Sequence, residues 1–106
     1  MKRIDLLRAQ LGGARDGALL RYSLGAALLD EGDAAEAVTH LRAALDYKPD
    51  YSAAWKLLGK ASLAGGDTDA ASEAWRQGIA VAEAGGDVQA AKEMRVFLKR
   101  LGRPGN

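Results

Sequence analysis

Cysteine is absent from the 106 residues of this chain. That excludes a disulfide framework, a thiolate nucleophile and a thiolate metal site. Histidine occurs once, as His40, so a multi-histidine metal site within one chain is also excluded. Aromatics are scarce at 6% and charge of one sign is lacking, with 15 basic and 14 acidic side chains giving a net charge of +1. That balance argues neither for nor against a nucleic-acid or membrane partner. No apolar run approaches the roughly 20 residues a membrane-spanning helix requires. The first eleven residues are basic, but Asp5, Arg8 and Gln10 interrupt any apolar stretch, so they do not read as a secretory signal. The expectation is a soluble cytoplasmic protein. No GxGxxG or GxxxxGK[ST] motif occurs, so neither phosphate-cradling loop is present. No cofactor is expected, and no residue constellation supports an enzyme.

What is present is apolar mass, 48% of the chain, much of it Ala and Leu with few β-branched residues, which favours helix over sheet. It is organised by an internal repeat. Leu24-Gly25 recurs 34 residues later as Leu58-Gly59, Ala27 as Ala61, Leu29 as Leu63, Gly32-Asp33 as Gly66-Asp67, Ala37 as Ala71 and Arg42 as Arg76. Eight identities in one gapless period mark a stacked repeat protein. Such stacks present surfaces to other molecules.

The punctuation predicts six helices. The first spans 2–11, with Ile4, Leu7 and Leu11 on one face and Gly12-Gly13 ending it. Asp16 is placed to cap a second helix at 17–31, whose inward stripe is Leu20, Leu24, Ala27 and Leu28. Asp33 and Glu36 approximate a capping box for a third helix running to residue 47. That helix buries Ala37, Leu41, Ala44 and Leu45, and Pro49 stops it. Asp50 is placed to cap a fourth helix at 51–64, with Trp55, Leu58 and Ser62 on one side. Asp67 caps a fifth at 68–84, facing Ala71, Trp75 and Ile79 inward. Asp87 precedes a sixth at 88–101, which buries Ala91, Met94, Leu98 and Leu101, and 102–106 form a short tail. Loops of two or three residues make consecutive helices antiparallel neighbours.

Trp55, Leu58-Gly59, Gly66, Ala71, Trp75 and Gly78 stand in the order of the tetratricopeptide repeat pattern, and Leu24-Gly25, Leu28, Gly32, Ala37, Leu41, Ala44 and Pro49 fit it once more. The chain therefore resembles the tetratricopeptide repeat (TPR) family, and within it a small protein of the bacterial type. The resemblance implies one all-α domain, an α-solenoid of antiparallel helical hairpins. Two TPR repeats at 18–51 and 52–85 would follow an N-terminal helix and loop at 1–15, with a capping helix at 87–101. Gly59 and Ala71 would be small so that the helices of a hairpin approach closely, and Trp55 and Trp75 would fill the space between hairpins. The sequence departs from the pattern in three places. Arg21 stands where a large apolar residue should open the first repeat, Ser62 where an aromatic is usual, and Glu83 where a proline closes the unit, so the fifth helix can run longer.

By the same resemblance, the first helix of each hairpin lines a concave face that holds an extended peptide or a partner helix. The groove side would carry Leu19, Tyr22, Ala26 and Leu29, then Ala53, Lys56, Leu57, Lys60 and Leu63. Lys56 and Lys60 are four apart and share a helix face, where two ammoniums can hold a carboxylate. Family members that clamp a peptide's C-terminal carboxylate use Lys, Asn and Arg in such places, but this chain has no Asn in its repeat helices. The bland alternative for both lysines is a solvated surface. A second cationic set, Lys92, Arg95, Lys99 and Arg103, forms a stripe along the sixth helix. It suits RNA phosphates or an acidic partner, yet a helix C-terminus favours cations by its dipole alone. No aromatic interleaves the stripe to stack a base. His40 reads as an ordinary surface or half-buried side chain, and Trp55, Trp75 and Phe97 as core. The functional expectation is a non-catalytic protein–protein interaction module, an adaptor or co-chaperone-like scaffold. Homo-oligomerisation through the terminal helices is the alternative, and RNA binding through the sixth helix is the weakest of the three.

Overall fold

The computed structural model describes residues 2–102, which form six helices. They are α1 (Arg3–Arg8), α2 (Ala18–Asp30), α3 (Ala34–Tyr47), α4 (Ser52–Ala64), α5 (Thr68–Ala84) and α6 (Val88–Leu101). No strand occurs among the described residues. No helix there is long and apolar enough to cross a membrane.

Three of the five interhelix turns are built the same way. The carboxylates of Asp33, Asp67 and Asp87 accept from the backbone N–H groups of Glu36, Ala70 and Ala90 at 3.1, 3.0 and 3.1 Å, satisfying donors that the first helical turn leaves orphaned. Before each aspartate stands a glycine, and Gly32 and Gly66 hold φ of +86° and +85°, a left-handed conformation that glycine adopts without steric cost.

The other two expected caps are not formed. Asp16 does not cap α2, which starts from Gly17 without a side-chain cap. Its carboxylate turns back to the Gly12 N–H at 2.9 Å and forward to Arg21 at 2.9 Å. Asp50 does not cap α4, whose N-cap is Tyr51. Asp50 is exposed and lies 3.6 Å from the Lys48 ammonium. The first helix is also shorter than the span 2–11. After Arg8 the bonds tighten to Gln10 N–H to Leu7 C=O and Leu11 N–H to Arg8 C=O, the three-residue spacing of a 3₁₀ turn.

The helices stack as hairpins, each packing on the next in order from α1 to α6. Beyond chain neighbours, α2 touches α4 and α4 touches α6, while α3 and α5 do not approach each other among the described residues. Thus α2, α4 and α6 form a close inner layer, and the outer helices splay. A stack whose inner layer is tighter than its outer layer is concave on the inner side. The smallest dimension, 18 Å, is that of two helix layers.

Interlocking of small and large residues sets the spacing. A Cβ built on Gly59 would lie 2.1 Å from Trp75 Nε1, one on Gly25 2.7 Å from Leu41 Cγ, and one on Gly78 2.4 Å from Met94 Sδ. Leu24, Leu28, Leu41 and Leu58 are at most 2% exposed and anchor one core. Trp75 and Met94 anchor a second between α5 and α6. Ser62 falls within the packed region at 3% exposure, and its hydroxyl has no hydrogen-bond partner. One repeat earlier that position is Leu28.

A polar network ties the N-terminal helix to this stack. Arg8 forks onto both Glu36 carboxylate oxygens at 2.8 Å. Glu36 Oε2 lies 3.4 Å from His40 Nε2, and Arg21 reaches His40 Nδ1 at 3.3 Å. Guanidinium nitrogens only donate, so Nδ1 accepts and the proton of neutral His40 sits on Nε2, facing Glu36. Arg21, out of place in the repeat pattern, is therefore a buried-side bracket between the Asp16 turn and α3. His40, expected at the surface or half-buried, is 8% exposed. The Arg21 hydrogen bond, helped by the Gly12 N–H, pulls the Asp16 carboxyl down to about 2. The Arg8 fork lowers Glu36 as well.

Candidate functional site

The inner layer defines two successive intervals, α2 to α4 and α4 to α6. In the first, Tyr22 of α2 packs its ring on Tyr51 at a centroid distance of 5.1 Å, and burial raises the Tyr51 hydroxyl above its ordinary value. Tyr22, Ala26 and Leu29 are all half-buried there. Leu19, one turn earlier, stands 70% exposed. Tyr22 and Leu29 pack against the buried core.

The second interval is open. Between α4 and α6 lies a cleft of about 550 Å³. Trp75 rises from α5 beneath it and is held in place by donating its indole N–H to the Lys56 carbonyl at 3.0 Å. Phe97 of α6 packs on Trp75 with ring centroids 5.1 Å apart. Leu63 from α4 and Leu101 from α6 form apolar walls, and Thr68 contributes at the turn into α5. Lys60 and Arg100 complete the lining. The Lys60 ammonium sits 5.1 Å from the centre of the Phe97 ring, within the range in which a ring face attracts a cation.

One turn toward the helix N-termini the cleft is crossed. Lys56 of α4 meets Glu93 of α6 at 3.2 Å, a strut between the two walls. Lys56 and Lys60 share a face as the spacing requires, but they face different partners, a carboxylate and an aromatic ring. Phe97, read from spacing as core, is half-buried and lines the cleft. Leu101, read from spacing as buried, lines the cleft too, and neither Arg100 nor Thr68 is marked as a site residue by the sequence.

The cationic set on α6 is divided. Lys92 and Lys99 are exposed, while Arg95 is engaged by Glu83 of α5. Arg103 lies outside the described residues.

Known proteins share this architecture. The family profile for the tetratricopeptide repeat matches residues 28–94. A TPR repeat-containing protein of Pseudomonas aeruginosa is 51% identical over 100 residues, covering 94% of this chain and 95% of its own length. The solution structure of a Bordetella parapertussis protein superposes with a TM-score of 0.85 at 44% identity, over 97% of this chain and 90% of that one. The crystal structure of a tetratricopeptide repeat domain protein from Salinibacter ruber gives 0.74 at 26% identity, over 81% of this chain and 96% of that one. With its 34-residue period, its hairpins interlocked through Gly25, Gly59 and Gly78, and relatives that match nearly end to end, this chain belongs to the tetratricopeptide repeat family.

Proposed function

We propose that this protein is a non-catalytic cytoplasmic adaptor that holds a peptide segment or helix of a partner protein on its concave face. The family supports protein–protein interaction in general, and the α4–α6 cleft carries the more specific reading. It is a preformed depression of about 550 Å³ whose aromatic floor is locked by a hydrogen bond and a ring–ring contact. Apolar clefts with a few placed polar groups are the usual form of a binding site. A receptor already rigid loses little entropy on binding.

Leu63 offers a clean test, because it is 42% exposed on the wall and not part of the core. Leu63→Asp should abolish capture of partner proteins while leaving helicity and melting temperature unchanged. Val88→Asp, at a residue 73% exposed at the start of α6, should capture the wild-type set. Equal recovery by both variants would remove the cleft from consideration.

Self-assembly through the terminal helices rests on a few exposed side chains, Leu6 on α1 with Val88 and Val96 on α6. Singly exposed apolar residues are normal on a monomer surface. The salt bridge of Arg95 to Glu83 weakens the basic stripe as an RNA surface.

A further inference from the structure

We propose that His40 is a proton-operated catch on the turn joining α1 to α2. When the ring takes up a second proton, Arg21 is expelled from it and residues 12–17 loosen. The device stands apart from the α4–α6 cleft.

The ring lies between two forked ion pairs. On the α2 side, Arg21 donates to both Asp16 carboxylate oxygens at 2.9 Å and reaches His40 Nδ1 at 3.3 Å. On the other side, Glu36 accepts the Arg8 fork from α1 at 2.8 Å and lies 3.4 Å from His40 Nε2. Tyr47, at the end of α3, is a further neighbour of Arg21. The other helix packed on α3 is α4, and its lysines engage α6 instead, Lys56 on Glu93 and Lys60 beside Phe97. With a neutral ring the two cations Arg8 and Arg21 balance the two anions Asp16 and Glu36.

A second proton breaks this arrangement on one side only. Guanidinium nitrogens donate and never accept, and both nitrogens of an imidazolium donate as well. The charged ring thus has no acceptor for Arg21, and turning it over supplies none. Two cations would face each other at 3.3 Å around a side chain 8% exposed, where water screens little. Glu36 gives the imidazolium a charge-assisted partner, so the ring stays and Arg21 moves.

Arg21 cannot leave alone. Its fork is on Asp16, and the same carboxylate accepts from the Gly12 N–H at 2.9 Å. Either the fork breaks or the turn follows the guanidinium, and both loosen residues 12–17. The Arg8 fork does not involve Nδ1, so α1 keeps its own tie to α3.

The relevant window is the one in which histidine ordinarily changes charge, about pH 5 to 8. Asp16 and Glu36 are held below their ordinary values by Arg21 and Arg8, so both stay ionised there. His40 is the single histidine of the chain, which makes its proton readable in the whole molecule.

The test is NMR of the ¹⁵N-labelled full chain from about pH 7.5 to about pH 5.5. The ring nitrogens report the proton, while Arg21 Nε–H and the amides of Gly12, Gly13 and Asp16 report the turn. These signals should shift together, with the midpoint of the ring itself. Amide exchange over residues 12–17, corrected for its intrinsic pH dependence, should rise severalfold while α4 and α5 keep their protection. His40→Gln, whose side-chain amide offers an acceptor and a donor but no titration, should show neither change.

A ring that titrates while Arg21 and the turn stay still would overturn the catch. So would a ring that remains neutral across the window, which would make the network a fixed bracket. Equal loss of protection in all the helices, or the same acid response in His40→Gln, would contradict it too. The wild-type titration decides alone should that variant not fold, and no outcome bears on the cleft.

Discussion

The indole of Trp75 occupies the space that a side chain on Gly59 would need. A Cβ at Gly59 would lie 2.1 Å from Nε1 and 2.3 Å from Cε2. Trp75 cannot withdraw easily, since it is 2% exposed and its N–H is bonded to the Lys56 carbonyl. The contact that lets α4 and α5 pack closely therefore also holds the floor of the cleft.

Gly59→Ala should destabilise the fold by about 1–3 kcal/mol through overpacking, even though alanine is the better helix former by about 1 kcal/mol. Gly65→Ala is the control. Its nearest neighbours would be at 3.6 Å, an ordinary contact, so its change should fall within about 0.5 kcal/mol. Denaturant unfolding of both variants checks the contrast, and equal effects would mean that Trp75 yields.

The two kinds of interhelix aspartate should separate in the same assay. Asp67→Ala removes a formed cap and should cost about 1 kcal/mol. Asp50→Ala removes only an exposed side chain 3.6 Å from Lys48, so its effect should stay within about 0.5 kcal/mol. A comparable loss in both would place a cap at Asp50 after all.

Acid stability should depend on Asp16. Its folded-state carboxyl titrates at about 2, below the ordinary 3.8, so the folded state favours the charged form. The stabilisation is fully present above pH 4 and is lost as pH falls through the folded value. Denaturant midpoints measured between pH 5 and about 2 should fall for the wild type. For Asp16→Asn they should fall less steeply across the lower part of that window. An unchanged slope would show that the Arg21 contact does not hold the carboxylate.

Ser62→Ala should leave stability unchanged or raise it by up to about 1 kcal/mol. A buried hydroxyl with no partner carries a desolvation cost and no compensating bond, and alanine has the higher helix propensity. A loss above 1 kcal/mol on thermal or denaturant unfolding would reveal a hydrogen bond to that hydroxyl.

Much of this architecture was legible because it rests on local signals. Gly-Asp pairs cap helices through their own chemistry, and a 34-residue period declares a stack. The inward stripe of Leu24, Leu28, Leu41 and Leu58 follows from spacing alone. The failures share a physical cause, competition from partners distant in sequence or in the turn geometry. Asp16 could be read as a cap, but Arg21 and the Gly12 N–H take its oxygens. Lys56 could be read as free to meet a ligand, but Glu93, 37 residues away, takes it. Phe97 has the spacing of a core residue, yet it is only half-buried and lines the cleft. Lys60 lies beside that ring, with its ammonium 5.1 Å from the centroid.

The central claim is that the α4–α6 cleft is where this protein meets its partner. The most direct measurement is partner capture by wild type, Leu63→Asp and Val88→Asp, with each variant's fold verified by circular dichroism and the bound segment mapped by cross-linking. The account predicts loss with Leu63→Asp alone, and cross-links between the partner and Lys60 in the wild type. Retention by Leu63→Asp, with cross-links confined to the outer helices, would contradict it.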